Sequence, residues 1–344
     1  MKMYNKIKTI RYMGNKNKLL DFIVPEIIKH SEKDDVICDL MAGTNSIAYA
    51  IKDKRTIYTN DIQYYSYIIS IGLIKNNRYI INSKNAKSDL EKKYQENIDN
   101  PIYDFFEKNY KNTYFTHKQC KEIDSIRYSI DSIKFEELKS LYLIALMNAM
   151  CVCQSTSGHF AQYLPKEHPR LEKIKKKSIW CEFLKKCNDF NNLIFSEYNN
   201  KCFNLDYSML FNLPEFGCVD LVYIDPPYTG EQYSRFYHVL ETVCKYDNPN
   251  LEYKGLYRTD RYTSPFSLRS KAFDEFDKLF SILASKNKKI ILSYSTKGIV
   301  KEYEMEYLLK KYYAFCDVKR THYNHSTQGK GNIKLEELLF IAHN

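Results

Sequence analysis

The chain has no G-x-G-x-x-G run and no G-K-[ST], so it carries neither the dinucleotide fingerprint nor a phosphate-cradling P-loop. Its cysteines are scattered. The one close pair, Cys151 and Cys153, has neither C-x-x-C spacing nor a second pair to complete a zinc site, and the set reads as reduced thiols. The amino-terminal MKMYNKIKTIRYMGNKNK lacks the apolar core of a signal peptide, and Leu141 to Val152, the most apolar later stretch, is too short to span a bilayer. The expectation is a cytoplasmic protein with no membrane partner. Ser157 and His159 lie in a Ser155-Thr156-Ser157-Gly158-His159 loop without a nucleophile elbow, so a substrate-contacting loop is expected there. With no triad and no carboxylate cluster for a metal, hydrolase and nuclease readings have little support.

What is present is a hydrophobic content of 44%, ample for a core, in a chain long enough for one large domain or a core with an inserted second one. The formal charge of +10 suits a polyanionic partner, as would a lysine-rich proteome with no such role.

The stretch that organises the rest is Val219 to Tyr228, VDLVYIDPPY. Its apolar residues suit a central parallel strand, and Asp225 falls at the carboxyl end, where ligands of open α/β sheets collect. Pro226 and Pro227 lack N–H donors and stiffen the turn, leaving the Pro226 carbonyl as an acceptor, and Tyr228 adds a flat ring. Two oxygens and an aromatic face fit a planar base with an exocyclic amine. A plain strand with a proline turn has the same letters.

Upstream, Arg11-Tyr12-Met13-Gly14-Asn15-Lys16 precedes an amphipathic helix over Leu19 to Ile28 that contains Pro25. Lys16 could bind a carboxylate or be an ordinary solvated lysine. Val36 to Ser46 reads as strand, small-residue turn and helix, with Asp39 at the strand end and Gly43 allowing close backbone approach. The strand Thr56 to Asp61 ends in a second acid about twenty residues later, the separation at which an acid meets ribose hydroxyls.

From about Ser66 to Tyr198 the pattern turns polar and helical, with Leu138 to Val152 as its apolar core helix, and looks like an insertion. Basic residues outnumber acids between Lys166 and Lys186, Arg170 and Lys173 among them; this is either a solvated face or a phosphate contact. The α/β pattern resumes at Lys201 to Asp206, a third strand ending in an acid, and continues with a helix over Ser270 to Ala284, a strand over Lys289 to Ser295, a helix over Val300 to Tyr312, and strands near Phe315 to His322 and Leu335 to Ala342. Asn324 to Asn332 reads as the turn of a closing hairpin. Between these lie Tyr233-Ser234-Arg235-Phe236-Tyr237 and Tyr257-Arg258-Thr259-Asp260-Arg261-Tyr262, arginines alternating with aromatics that could pair with phosphates and stack on bases.

In this order the pieces resemble the D12 class of adenine-specific DNA N6-methyltransferases, the Dam-like family: an aromatic-x-G-x-K segment, a glycine turn, an inserted domain, a third acidic motif, then DPPY. The resemblance covers the first sixty or so residues and Lys201 to the end. It implies an α/β, Rossmann-like methyltransferase sheet with helices on both faces, formed by residues 1–65 and 199–344, and a mainly helical target-recognition domain over 66–198. It implies S-adenosylmethionine as cofactor, with Tyr12, Gly14 and Lys16 at its methionine end, Asp39 and Gly43 at the first turn, Asp61 on the ribose and Asp206 on the adenine amine. Asp225, Pro226, Pro227 and Tyr228 would hold the target adenine, and no metal is required. The expected partners are double-stranded DNA, through Lys166, Arg170, Lys173, Arg235, Arg258 and Arg261, and a possible cognate restriction endonuclease in a bacterial cytoplasm. Where the family has D-P-F-x-G-[ST]-G, this chain carries Leu40, Met41 and Asn45. An RNA adenine methyltransferase and a nucleic-acid-binding protein on a degenerate scaffold are the rival readings.

Overall fold

The computed structural model describes residues 4–165, 167–326 and 332–344. Its sheet has seven strands: β1 (Val36–Asp39), β2 (Thr56–Asn60), β3 (Lys201–Phe203), β4 (Val219–Ile224), β7 (Lys289–Ser295), β8 (Phe315–Ser326) and β9 (Asn332–His343); β5 (Leu251–Glu252) and β6 (Tyr257–Arg258) form a separate ribbon. The strand order is β3-β2-β1-β4-β7-β9-β8. The first five of these run parallel, and β9 pairs antiparallel with both β7 and β8. From β1 the chain moves outward to β2 and β3, then returns to β4 on the other side. The reversal opens a crevice beyond the carboxyl ends of β1 and β4, where open α/β sheets bind ligands.

Both faces of the sheet are buried by the alternation of side chains along each strand. Ile37, Ile57, Leu221, Tyr223, Ile291, Leu339 and Ile341 face one cluster, which includes Ile23 and Ile27 of the helix Leu20–Lys29. Cys38, Tyr58, Val222, Ile224, Ile290, Leu292, Leu338 and Phe340 face the other, with Phe276 and Phe280 of the helix Ala272–Ser285 and Leu308 of the helix Glu302–Tyr312. In β4 the register against β1 slips between Val219 and Leu221. Asp220 takes up that irregularity, exposed, with its carboxylate accepting from Val36 N at 2.8 Å.

Between β2 and β3 the chain is helical. The helix Tyr64–Ser70 and the π-helical turn Ile71–Lys75 pack against β3 and lead into Ser83–Asp99, His117–Asp131, Glu136–Cys153 and Ile179–Cys187. Residues 66–75 thus pack beside β3, at the point where the sequence places the start of the insertion. Helix Glu136–Cys153 is buried around nearly its whole girth. It comes so close to the π-turn that a Cβ on Gly72 would lie 2.9 Å from Ile144 Cδ1 and 3.3 Å from Leu141 N, a space only glycine leaves open. The apolar cluster runs from the sheet face into these helices without a break. The hairpin of β8 and β9 is formed; the tip of its expected turn, 327–331, lies outside the described residues. No helix among the described residues is long and apolar enough to cross a membrane.

Candidate functional site

One open cleft at the switch point is lined by Tyr12, Gly14, Lys16, Asp39, Gly43, Asp61, Asp206, Asp225, Pro226, Pro227 and Tyr228. These are the residues the sequence assigned to cofactor and target base. They come from five separate segments: four follow the parallel strands β1 to β4, which deliver their carboxyl ends to one edge, and the fifth is the amino-terminal segment docked against them.

Asp39 ends β1. It is 3% exposed and its Oδ1 has no hydrogen-bond partner. Burial, with the Asp225 and Asp61 carboxylates beside it, holds its acid well above the usual carboxylate range. A buried acid with an orphaned oxygen and like-charged neighbours is suited to a cationic group in the cleft. The turn after it bends through Gly43 at φ +51°, where a Cβ would lie 3.3 Å from the Tyr12 ring. Asn45 takes the left-handed conformation at φ 59°. Asparagine is among the few non-glycine residues that visit this region readily, which explains how the turn forms without the family's second glycine. Its side chain also ties the turn to the helix Tyr64–Ser70, accepting from Ser70 Oγ at 2.8 Å and donating to Ser66 O at 3.3 Å.

Asp61, one residue past β2, joins two loops: Oδ2 accepts from Gly43 N and Oδ1 from Gln63 N, each at 2.8 Å. Burial pushes its acid up to about 6 against these hydrogen bonds. Asp206 caps the short helix Tyr207–Leu210 through Ser208 N and accepts from Tyr262 OH at 3.2 Å. The strap carrying Tyr262 is pinned by Gln232, whose amide both donates to Ser264 O and accepts from Ser264 N.

Tyr12 stacks on Tyr237 at 4.7 Å and lies 5.2 Å from Tyr233, while Met13 N donates to Tyr237 OH at 2.8 Å. The aromatic segment after DPPY therefore clasps the amino-terminal segment. Asn15 donates to Thr44 Oγ1 at 3.0 Å, which docks that segment on the first turn.

Asp225 lies just beyond β4, its side chain one-fifth exposed to the cleft. Lys16 Nζ sits 3.0 Å from its Oδ1 and 2.7 Å from Oε1 of Glu337, a fully buried residue of β9. Burial opposes the charge on Lys16, but Asp225 and Glu337 outweigh it and raise its pKa well above normal. The Lys16 ammonium, expected at a cofactor carboxylate, is thus already engaged by two protein carboxylates. Burial pushes the Asp225 acid up to about 6, with Lys16 pulling against it. Tyr228 packs edge-on against Tyr294 at the end of β7, and its carbonyl accepts from Ile299 N at 2.9 Å.

Of the residues expected on DNA, Arg170 and Lys173 are exposed on the short helix Arg170–Lys175; Lys166 lies outside the described residues. Arg235 and Arg261 both lie over the Tyr257 ring, 5.5 and 4.9 Å from its centroid. Arg258 is a correction. It is 1% exposed and forked between Asp247 (2.7 Å to each oxygen) and Asp260 (2.8 and 2.9 Å), so four of its five N–H donors are taken by acids and the side chain is turned away from solvent. Arg235 is exposed, whereas Arg261 is half-buried, its Nε donating to Arg258 O at 2.8 Å and its Nη2 to Glu252 at 3.3 Å; the acids two and eleven positions away claimed Arg258.

Sequence reasoning did not find Glu337, and it offered Tyr233, Tyr237 and Tyr262 as aromatics for stacking on bases rather than as partners of Tyr12 and Asp206. Glu337 left a trace: it shares a strand face with Leu339 and Ile341, where alternation demands an apolar side chain. Among the described residues no group of three or more histidines, cysteines and acids is placed to hold a metal.

Fold and site together define an α/β protein of the methyltransferase type. A model of the D12 class N6 adenine-specific DNA methyltransferase family matches residues 12–305, and the chain belongs to that family. It is similar to the modification methylase LlaI of Lactococcus lactis subsp. lactis (31% identical, covering 96% of this chain and 54% of that protein). It is also similar to the type II methyltransferase M.FokI of Planomicrobium okeanokoites (33%, covering 88% and 47%) and to M2.HphI of Haemophilus parahaemolyticus (25%, covering 98% of both). The chain spans about half the length of the first two.

Proposed function

We propose that this chain is a site-specific DNA adenine N6-methyltransferase that uses S-adenosylmethionine, working in restriction-modification or as an orphan methylase. The observation that carries this reading is Asp225 at the end of β4, opening on the same cleft as the orphaned Asp39 carboxylate and Asp61. Tyr12, Gly14, Asp39 and Gly43 would hold the methionine end of the cofactor, Asp61 its ribose and Asp206 its adenine. Bound there, S-adenosylmethionine supplies an electrophilic sulfonium methyl group.

The protein's own part is orientation and charge. The amine of adenine is a weak nucleophile because its lone pair is delocalised into the ring. Hydrogen bonds from its two hydrogens to the Asp225 carboxylate and the Pro226 carbonyl favour a pyramidal nitrogen, and they strengthen as positive charge develops on it. The base must leave the duplex to reach them, at a cost of a few kcal/mol offset by stacking on Tyr228. Residues 1–65 and 199–344 would carry the chemistry and 66–198 target recognition, with Arg235 and Arg261 on the backbone.

The test is methyl transfer from labelled S-adenosylmethionine to unmethylated genomic DNA, read by nucleoside analysis and modification-sensitive sequencing. N6-methyladenine within one short motif is the expected result. Label in structured RNA but not DNA would move the substrate to RNA, and a protein that binds no cofactor would be a binding module. Because the protonated Asp225 acid is a far weaker acceptor than its carboxylate, kcat/KM should fall about tenfold per pH unit below about 6 and level off above it. A rate that is flat between pH 5 and 8 would remove Asp225 from the reaction.

A further inference from the structure

Glu337 is an expensive residue for its position. It is fully buried in β9, between β7 and β8, on a face otherwise held by Leu339 and Ile341. A carboxylate there must be compensated, and replacing buried ion pairs by apolar residues is often neutral or stabilising. Its compensation is lopsided. Oε1 takes both Lys16 Nζ and Ser293 Oγ, whereas Oε2 has no partner. A network built only to satisfy Glu337 would use both oxygens. This one is directed at Lys16.

From the geometry, and on the reading of the cleft given above, we infer that Glu337 is a positioning residue for methyl transfer. It holds the Lys16 ammonium so that Lys16 grips one oxygen of Asp225 and leaves the other for the base.

Lys16 alone would settle fully on Asp225, neutralise it and compete with the adenine amine for both oxygens. Glu337 draws the ammonium away: the Nζ distance is 2.7 Å to Glu337 against 3.0 Å to Asp225. Two carboxylates and one ammonium leave the trio with a net negative charge, which keeps Asp225 a strong acceptor. The link joins the carboxyl end of β4 to the antiparallel β9, so the target acid is braced from the far half of the sheet. The groups acting on the Asp225, Lys16 and Glu337 cluster are Tyr223, Tyr228, Tyr233 and Asp39; none of these is a second cation.

The experiment compares wild type with Glu337→Gln, which keeps shape and removes charge. We expect kcat for DNA methylation to fall about 10- to 100-fold, as misplacement of a reacting group does, with KM for DNA and cofactor affinity within about twofold. Glu337 adds to the repulsion that raises the Asp225 acid, so its removal should also move the acid limb of the kcat/KM profile to lower pH. Glu337→Asp should restore part of kcat. Leu339→Ala, a buried neighbour on the same face, should lower Tm and leave the limb where it is.

A folded Glu337→Gln protein with wild-type kcat and limb would overturn the inference. Should that variant not fold, Lys16→Met and Lys16→Met/Glu337→Met decide it: equal losses are expected, since Glu337 acts only through Lys16, and additive losses would refute it. A carboxyl NMR titration of Asp225, assigned by its loss in Asp225→Asn, reads the same downward shift without turnover. Wild type that methylates no DNA would therefore defeat the functional reading alone, while an unmoved Asp225 midpoint would defeat this inference alone.

Discussion

Asp225→Ala should lower the single-turnover rate of methyl transfer by about 10³-fold or more, the scale seen when a preorganised transition-state contact is lost. Cofactor affinity should stay within about threefold, because the residues proposed to hold S-adenosylmethionine lie on the loops after β1, β2 and β3 and in the amino-terminal segment rather than on β4. The variant should also fold. Removing Asp225 leaves Lys16 paired with Glu337, so no buried charge is stranded, and the side chain lost was one-fifth exposed. Rapid-quench kinetics, calorimetric titration with S-adenosylmethionine and a thermal scan check the three parts separately. A folded, cofactor-binding variant that still transfers methyl groups would refute the assignment. One that fails to bind cofactor would mean that Asp225 serves the donor site instead.

Arg258→Ala should destabilise the fold by about 2–3 kcal/mol, from lost charge-assisted hydrogen bonds and packed stem, without a DNA-specific defect. For a chain of this size that lowers Tm by roughly 3–5 °C. The loss is held to that range because the side chains of Asp247 and Asp260 are 43% and 53% exposed and can turn to water when the arginine is gone. Arg235→Ala should do the opposite. It is exposed over Tyr257, so Tm should stay within about a degree, while DNA affinity falls and the slope of log affinity against log salt drops by about one. Thermal scans and anisotropy titrations over a salt series separate the two. A normal Tm with weakened DNA binding in Arg258→Ala would return that residue to the interface.

The sequence by itself determined the parts whose physics is local. The run of β-branched and aromatic residues from Val219 to Ile224 fixed a buried strand, the small-residue turns fixed where backbone could approach a ligand, and acids at strand ends fixed one edge as the site. Asp39, Asp61, Asp206 and Asp225 were therefore legible together, because parallel strands bring their carboxyl ends to one side whatever else the chain does. The helix over Leu20–Lys29 was legible despite Pro25, since its apolar stripe outweighs one lost hydrogen bond. Tertiary structure alone decided which charges meet. Lys16 and Glu337 are 321 positions apart, and nothing local to either says that one buried ammonium will bridge a core glutamate and the DPPY acid. The same holds for Arg258 against Arg235 and Arg261: all three share a basic, aromatic context, and only the placement of the acids buries Arg258 between Asp247 and Asp260, leaves Arg261 half-buried beside Glu252 and leaves Arg235 exposed. Strand and turn preferences act over a few residues, whereas desolvation and Coulomb energy depend on distance in space, which the order of residues does not contain.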